Sequence, residues 1–216
     1  MLFLRQRASL VAETIALIDF GAGNLHSVHN ALQAAGAHGV EVTADPEVVA
    51  KTDRIVLPGV GAFGACRDAL AGIDGMIAAL EQRVLKQGAP FLGICVGMQL
   101  LADNGIEFGE HKGLGWISGI VEKMEASSAD IKIPHMGWND VTPQTDHPLI
   151  EPGEAYYLHG YHFRAADSSE VLATTTHGMP LVSAVGLDNI VGVQFHPEKS
   201  QAYGLAFLKR FLEWKP

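Results

Sequence analysis

The first half of the chain alternates strand-like and helical hydrophobic patterns, and this alternation restricts the fold more than any other feature. "IALIDF" (15–20) is a short apolar run ending in the turn signal "GAGN". Leu25, Val28, Leu32 and Ala35 then recur at helical spacing, with Gly36 placed just past the helix end. "GVEVTAD" reads as a second strand, and "RIVLPGVGAFG" as a third that runs into a Gly-rich loop. "GMIAALEQRVLKQG" is an amphipathic helix with Ile77, Leu80, Val84 and Leu85 on one side. "APFLGI" is a fourth strand and "CVGMQLLADNG" a helix closed by Asn104 and Gly105. The order βαβαβαβα predicts a parallel, doubly wound sheet.

After Gly105 the pattern changes. "GWISGIVEKME", "EAYYLHGYHF", "EVLATTTH", "PLVSAVGLD" and "IVGVQFHPE" read as strands with few helices between them, and "QAYGLAFLKRFLEWK" closes the chain as an amphipathic helix. The expected fold class is therefore α/β: a mostly parallel central sheet with flanking helices, plus antiparallel strands in the C-terminal half. With no internal repeat and no long linker, residues 15–216 are expected to form a single domain, preceded by an N-terminal extension over residues 1–14.

Composition removes several classes of function. The chain has 216 residues and a net charge of −9, with no run of Lys or Arg. An acidic chain without a basic stripe excludes the usual electrostatic footprint for nucleic acid or anionic membrane. No apolar stretch approaches the roughly 20 residues that span a bilayer. The first residues carry arginines but no signal-length apolar core or small-residue cleavage site, and Glu13 disfavours an organelle-targeting reading. Two cysteines make no disulfide framework, so a reducing, cytoplasmic setting is expected.

One of those cysteines stands in a demanding place. Gly93-Ile94-Cys95-Val96-Gly97 has the form G-x-C-x-G between a predicted strand and a predicted helix, the nucleophile-elbow pattern with Cys in place of Ser. A sharp turn exposes the nucleophile, and flanking glycines remove side chains that would clash. A helix N-terminus directs N–H groups at the sulfur and favours thiolate, and the Val96 N–H stands where it can hold an oxyanion. Taken alone, the same stretch also fits a small buried thiol. Cys66, in "FGACRDAL", has no such corner and reads as structural.

A nucleophilic Cys needs a base, and the base benefits from an orienting acid. Among ten His, His196 sits at the end of the strand-like run from Val191 to Phe195, held extended by Pro197. Residues two apart in an extended chain face the same side, so His196 and Glu198 project together. The triplet alone fits a solvated surface turn equally well; beside the cysteine corner it reads as a Cys95, His196, Glu198 triad. "PGVGAFG" (58–64) emerges on the same sheet edge, and backbone near Gly59 and Val60 is a candidate second oxyanion donor, against the alternative of a plain β-to-α turn. No Gly-Lys-Ser/Thr follows, which excludes a P-loop. His26, His29, His135, His159, His162 and His177 lack metal-ligand spacing and read as hydrogen-bonded or surface residues, so no metal site and no cofactor are expected.

"GICVGMQLL" together with "VGVQFHPEKS" resembles the class I (triad-type) glutamine amidotransferase family, with its flavodoxin-like fold. Within it, "IDFGAGN", "PGVGAFG", "GLGWI", "PHMGWN", "YYLHGYHF" and "QFHPEKS" are similar to the glutaminase subunits of imidazole glycerol phosphate synthases, over nearly the whole chain from Ile15. The "HGYHF" segment departs from the His-Ser-Tyr form of the family.

The resemblance implies that Cys95 is the nucleophile, His196 the acid/base and Glu198 its orienter. It implies that Gln99 contacts glutamine, that Gly59, Val60 and Val96 belong to the oxyanion region, and that His159, Gly160 and Tyr161 line the glutamine site. It implies a heterodimer with a (β/α)8-barrel cyclase subunit, Trp138 and Lys199 at or near the interface, and ammonia passed internally to a lyase reaction of histidine biosynthesis. A different acceptor enzyme (anthranilate, aminodeoxychorismate or guanylate synthesis), a stand-alone γ-glutamyl hydrolase and a catalytically inactive binding module remain open.

Overall fold

The computed structural model describes residues 13–126 and 131–216. Residues 1–12 of the expected N-terminal extension lie outside them. Thr14 is already part of the first strand, and Glu13 accepts a hydrogen bond from Arg54 Nε at 2.8 Å.

The N-terminal half runs β1 (Thr14–Ile18), α1 (Leu25–Ala34), β2 (Gly39–Thr43), α2 (Pro46–Val49), β3 (Arg54–Gly59), α3 (Phe63–Ala71), α4 (Met76–Glu81), β4 (Phe91–Cys95) and α5 (Val96–Gln99). A π-turn, Gln82–Lys86, prolongs α4. Gly36 follows α1 at φ 111°, the left-handed backbone that glycine adopts freely. The C-terminal half adds β5 (Asn104–Gly105), β6 (His111–Lys112), β7 (Gly119–Lys123), β8 (His135–Pro143), β9 (Gly153–His159), β10 (Tyr161–Ala165), β11 (Val171–Thr176), β12 (Pro180–Leu187), β13 (Ile190–Val193) and α6 (Gln201–Glu213).

Among the described residues, nine strands form one sheet in the order β2-β1-β3-β4-β13-β12-β11-β8-β9. The first five are joined in parallel. From β13 onward every pairing is antiparallel. The sheet thus continues from a doubly wound half into an antiparallel half, as the change of pattern at Gly105 predicts. Leu17, Ile55, Leu57, Phe91 and Val191 are fully buried in its centre, as expected of parallel strands covered on both faces. The C-terminal helix α6 packs Phe207, Leu208 and Phe211 into the same core. Buried Arg54 donates from Nη1 to the carbonyls of Phe211 and Trp214 at 2.9 and 2.8 Å, which satisfies the end of that helix.

β8 is a strand that the sequence reading did not contain, and two expected elements differ in extent. The helix expected over "CVGMQLLADNG" ends at Gln99. Beyond it, the carbonyls of Leu100, Leu101 and Ala102 accept from Leu114, Trp116 and Gly115. Bonds to a distant loop replace the next helical turn, and residues 104–105 join a small sheet ordered β10-β7-β5-β6. "EAYYLHGYHF", read as one strand, breaks at Gly160. Its first part, β9, pairs with β8 in the large sheet, and its second, β10, pairs with β7 in the small one.

Candidate active site

Cys95 ends β4 at φ 55° and ψ −112°, a positive-φ backbone that is costly for a side chain with a Cβ. Crowding around it accounts for the two glycines. A Cβ on Gly97 would fall on the Leu57 carbonyl oxygen, and one on Gly93 would sit 2.6 Å from the Gly97 carbonyl oxygen. The strand can turn into α5 against β3 only with hydrogen at both positions. Because α5 has four residues, it supplies first-turn N–H groups and little accumulated dipole, less than a full-length helix would provide.

Topology brings the second half of the site to this corner. β13 lies beside β4 in parallel, with Val193 opposite Ile94, and the chain continues from β13 to His196. The backbone at His196 is extended (φ −101°, ψ 97°) and its N–H donates to the Tyr156 carbonyl at 2.9 Å. His196 Nδ1 lies 2.9 Å from Glu198 Oε1, with side chains only 3% and 1% exposed. The second carboxylate oxygen, Oε2, is buried with no hydrogen-bond partner. Burial is the largest single influence on His196 and opposes its protonation. Interaction with Cys95 and with Glu198 outweighs it and raises the pKa to about 9. Gln194 Nε2 stands 3.8 Å from Cys95 Sγ, and the Leu158 carbonyl lies 4.0 Å away on another side.

These groups face a cavity of about 250 Å³, room for one small polar molecule. Of the residues singled out from sequence, Val60, Cys95, Val96, Gln99, His159, Gly160, Tyr161, His196 and Lys199 line it. Gly59, Glu198 and Trp138 do not. Gly59 lies opposite Cys95 in the β3/β4 register, where a Cβ would sit 2.8 Å from the Gly97 nitrogen, so it permits close strand–helix approach. Glu198 stands behind His196. Trp138 is 47% exposed on β8. Gln99 is buried; its Nε2 donates to the Tyr161 carbonyl at 3.1 Å and to Gln194 Oε1 at 3.0 Å. Cys66 is buried, with its thiol pushed up to about 11 chiefly by burial, and it donates to the Val60 carbonyl at 3.2 Å. It braces the Gly-rich loop.

The sequence reading missed several members of the wall. Glu107 lines the cavity, its Oε2 accepting from the Phe63 N–H at 2.7 Å. Nothing in "IEFGE" distinguishes that carboxylate from other acidic residues. Gln194, one residue past the end of β13, stands behind the wall, where it contacts Cys95 and Gln99. Among the described residues, no group of three or more His, Cys, Asp or Glu is arranged to hold a metal ion.

Comparison with known proteins agrees with this geometry. A family model described as "Glutamine amidotransferase class-I" matches residues 16–214. The chain belongs to the class I glutamine amidotransferase family. Its curated relatives include imidazole glycerol phosphate synthase subunit HisH of Zymomonas mobilis, 59% identical over 95% of this chain and 98% of that one. The HisH subunit of Rhodospirillum rubrum is 53% identical over 94% and 99%. Among solved structures, a glutamine amidotransferase superposes with a TM-score of 0.72 at 18% identity, over 93% of this chain and 97% of that one. The glutaminase domain of CTPS from Trypanosoma brucei gives 0.64 at 17%, over 94% and 95%. These two similarities bear on fold: the class I amidotransferase architecture is the mixed sheet described above.

Proposed function

We propose that this amidotransferase is the glutaminase subunit of an imidazole glycerol phosphate synthase, with residues 15–216 as its single domain. Curated HisH relatives at high identity over almost their full length support the assignment. The observation that carries the chemistry is the His196–Glu198 pair, 2.9 Å apart and buried, just past the end of β13, the strand beside the one that ends at Cys95.

In this reading Cys95, as thiolate, attacks the side-chain amide carbon of glutamine. The C=O electrons move to oxygen, and the tetrahedral oxyanion is held by the Val96 N–H and by backbone at Val60, which lines the cavity where Gly59 does not. His196, protonated and supported by Glu198, donates its proton to the departing nitrogen as the C–N bond breaks, leaving ammonia and a glutamyl thioester. Neutral His196 then takes a proton from water. The hydroxide adds to the thioester carbon, glutamate leaves, and Cys95 is regenerated. Gln99, His159, Gly160 and Tyr161 shape the glutamine pocket, while Glu107 brings a carboxylate suited to the substrate's α-ammonium. No cofactor enters any step.

The outer face of the β8–β9 pair suits a protein partner. Met136 opposes Leu158 and Trp138 opposes Tyr156 across the two strands. Met136, Trp138 and Leu158 are 66%, 47% and 38% exposed. Lys199 stands 5.8 Å over the Tyr156 ring, between this apolar face and the cavity. An exposed apolar patch that includes Trp138, beside an active site, is the surface that association would bury. The partner in this reading is a (β/α)8-barrel cyclase that forms a heterodimer in the cytoplasm and receives ammonia away from bulk water. No helix among the described residues is long and apolar enough to cross a membrane.

A glutamine analogue bearing an electrophilic carbon tests the site. It should label Cys95 and not Cys66, with protection by glutamine. Labelling elsewhere, or none in the presence of the cyclase, contradicts the assignment.

A further inference from the structure

In the cavity wall, at His159, and behind it, at His135, lie buried imidazoles that the thioester chemistry does not use. His135, at the start of β8, is 3% exposed, and its ring is sandwiched between those of Tyr157 and His177, with centroids 4.7 and 4.3 Å away. His159, at the end of β9, is 6% exposed. Their hydrogen bonds allow one arrangement of protons. The Tyr161 carbonyl can only accept, so the His159 nitrogen 2.9 Å from it, Nδ1, carries the hydrogen. Neutral His159 therefore offers a lone pair at Nε2, and His135 Nδ1, 3.0 Å away, donates to it. Neutral His135 in turn accepts at Nε2, from Asn139 Nδ2 at 3.0 Å. Asn139 Nδ2 is anchored by the Thr176 carbonyl at 2.8 Å.

The chain of bonds does not stop at Tyr161. Its carbonyl also accepts from Gln99 Nε2, Gln99 donates to Gln194, and Gln194 reaches Cys95 Sγ. An unbroken path thus joins Asn139, next to exposed Trp138, to the sulfur. Burial pushes His135 down to about 4 and His159 down to about 3, in keeping with the neutral forms the geometry demands. A second proton on His159 would set two N–H donors against each other. A buried polar chain of this kind holds one geometry only while every member is paired.

We propose that Asn139, His135 and His159 form a positioning relay that fixes the Tyr161 carbonyl and with it the Gln99 amide, so that the strand carrying Trp138 sets the shape of the glutamine pocket. The inference rests on the reading of the Cys95 cavity as a glutamine site. It adds Asn139 and His135, which do not line the cavity, and an explanation of how pressure on the outer face of β8 reaches the pocket.

The test uses the full chain assembled with its cyclase partner. His135→Phe keeps an aromatic ring between Tyr157 and His177 but removes the donor, whereas His135→Asn keeps an amide donor near the place of Nδ1. His135→Phe should raise KM for glutamine about tenfold, the scale of one buried hydrogen bond, with kcat changed by less than about threefold. His135→Asn should restore KM to within about threefold of the unaltered chain. An unchanged KM in folded His135→Phe, or an Asn variant as impaired as Phe, overturns the relay. Should these variants fail to assemble, ¹⁵N NMR of the imidazoles in a Cys95→Ala chain decides. Both rings should be neutral with the proton on Nδ1 at neutral pH, and their signals should shift when glutamine binds. A proton on His135 Nε2, or signals indifferent to glutamine, overturns it. If the unaltered complex hydrolyses no glutamine, the functional reading fails, while the tautomers still judge the relay.

Discussion

At the scale of single residues, Cys95 and His196 each depend on a neighbour that does no bond-making. Gly97 lets the chain turn at Cys95, and a methyl group there would fall on the Leu57 carbonyl. Gly97→Ala should therefore cost stability as well as activity, seen as a lowered denaturation midpoint together with loss of glutaminase. Glu198 holds His196 by Nδ1. Glu198→Gln leaves the size but removes the charge that supports an imidazolium, so kcat should fall by about 10²–10⁴-fold, with glutamine KM little changed. Because His196 is drawn up to about 9, it stays protonated through neutral pH. The alkaline limb of glutaminase kcat/KM should fall near pH 9, where the acid that protonates ammonia is lost; a limb near pH 6.5 would contradict this coupling. The Cys corner and the His-Pro-Glu triplet were legible as local patterns near strand ends, but the expected extended triplet is a 3-10 turn, Pro197–Lys199, which folds Glu198 back onto His196 Nδ1. Glu107 was not legible, because its place in the cavity depends on the Phe63 N–H, 44 residues away in the chain.

At the scale of elements, the alternation of strand and helix was readable wherever apolar residues kept the period of their element, and it missed β8, whose apolar residues do not alternate regularly. It failed where bonds come from elsewhere. α5 stops because the loop at residues 113–117 takes the carbonyls of the residues just after it, Leu100 to Ala102. β9 and β10 part at Gly160 because their partners lie in two sheets, which apolar spacing does not encode. The β8–β9 pair also carries a pH dependence. Unfolded histidines bind protons near pH 6.5, whereas His135 and His159 bind them only near 4 and 3 in the folded chain. Below pH 6.5 the unfolded state holds more protons, so this contribution is complete above 6.5 and is lost as pH falls toward 4, on the order of a few kcal/mol. Denaturant midpoints measured from pH 7 to 4.5 should drop, and the slope should flatten in a His135→Asn chain. An equal slope in both would place the acid sensitivity elsewhere.

At the scale of the molecule, the sheet edge that holds Cys95 and His196 continues into a two-stranded apolar face ending in Trp138 and Met136. The order of strands explains why: β13 inserts beside β4, and the antiparallel half then carries β8 and β9 outward from the site. With the proposed cyclase partner, Trp138→Ala should weaken assembly by about tenfold or more, the usual cost of truncating an aromatic that an interface buries, as read by titration calorimetry. The separation of tasks between the two proteins is the central claim, and one assay addresses it. Cyclase turnover is measured with glutamine and, separately, with ammonia, using the complex with unaltered chain and with Cys95→Ala. The account predicts that Cys95→Ala abolishes the glutamine-dependent reaction and leaves the ammonia-dependent one intact. Loss of both, or survival of the glutamine-dependent reaction, would contradict it.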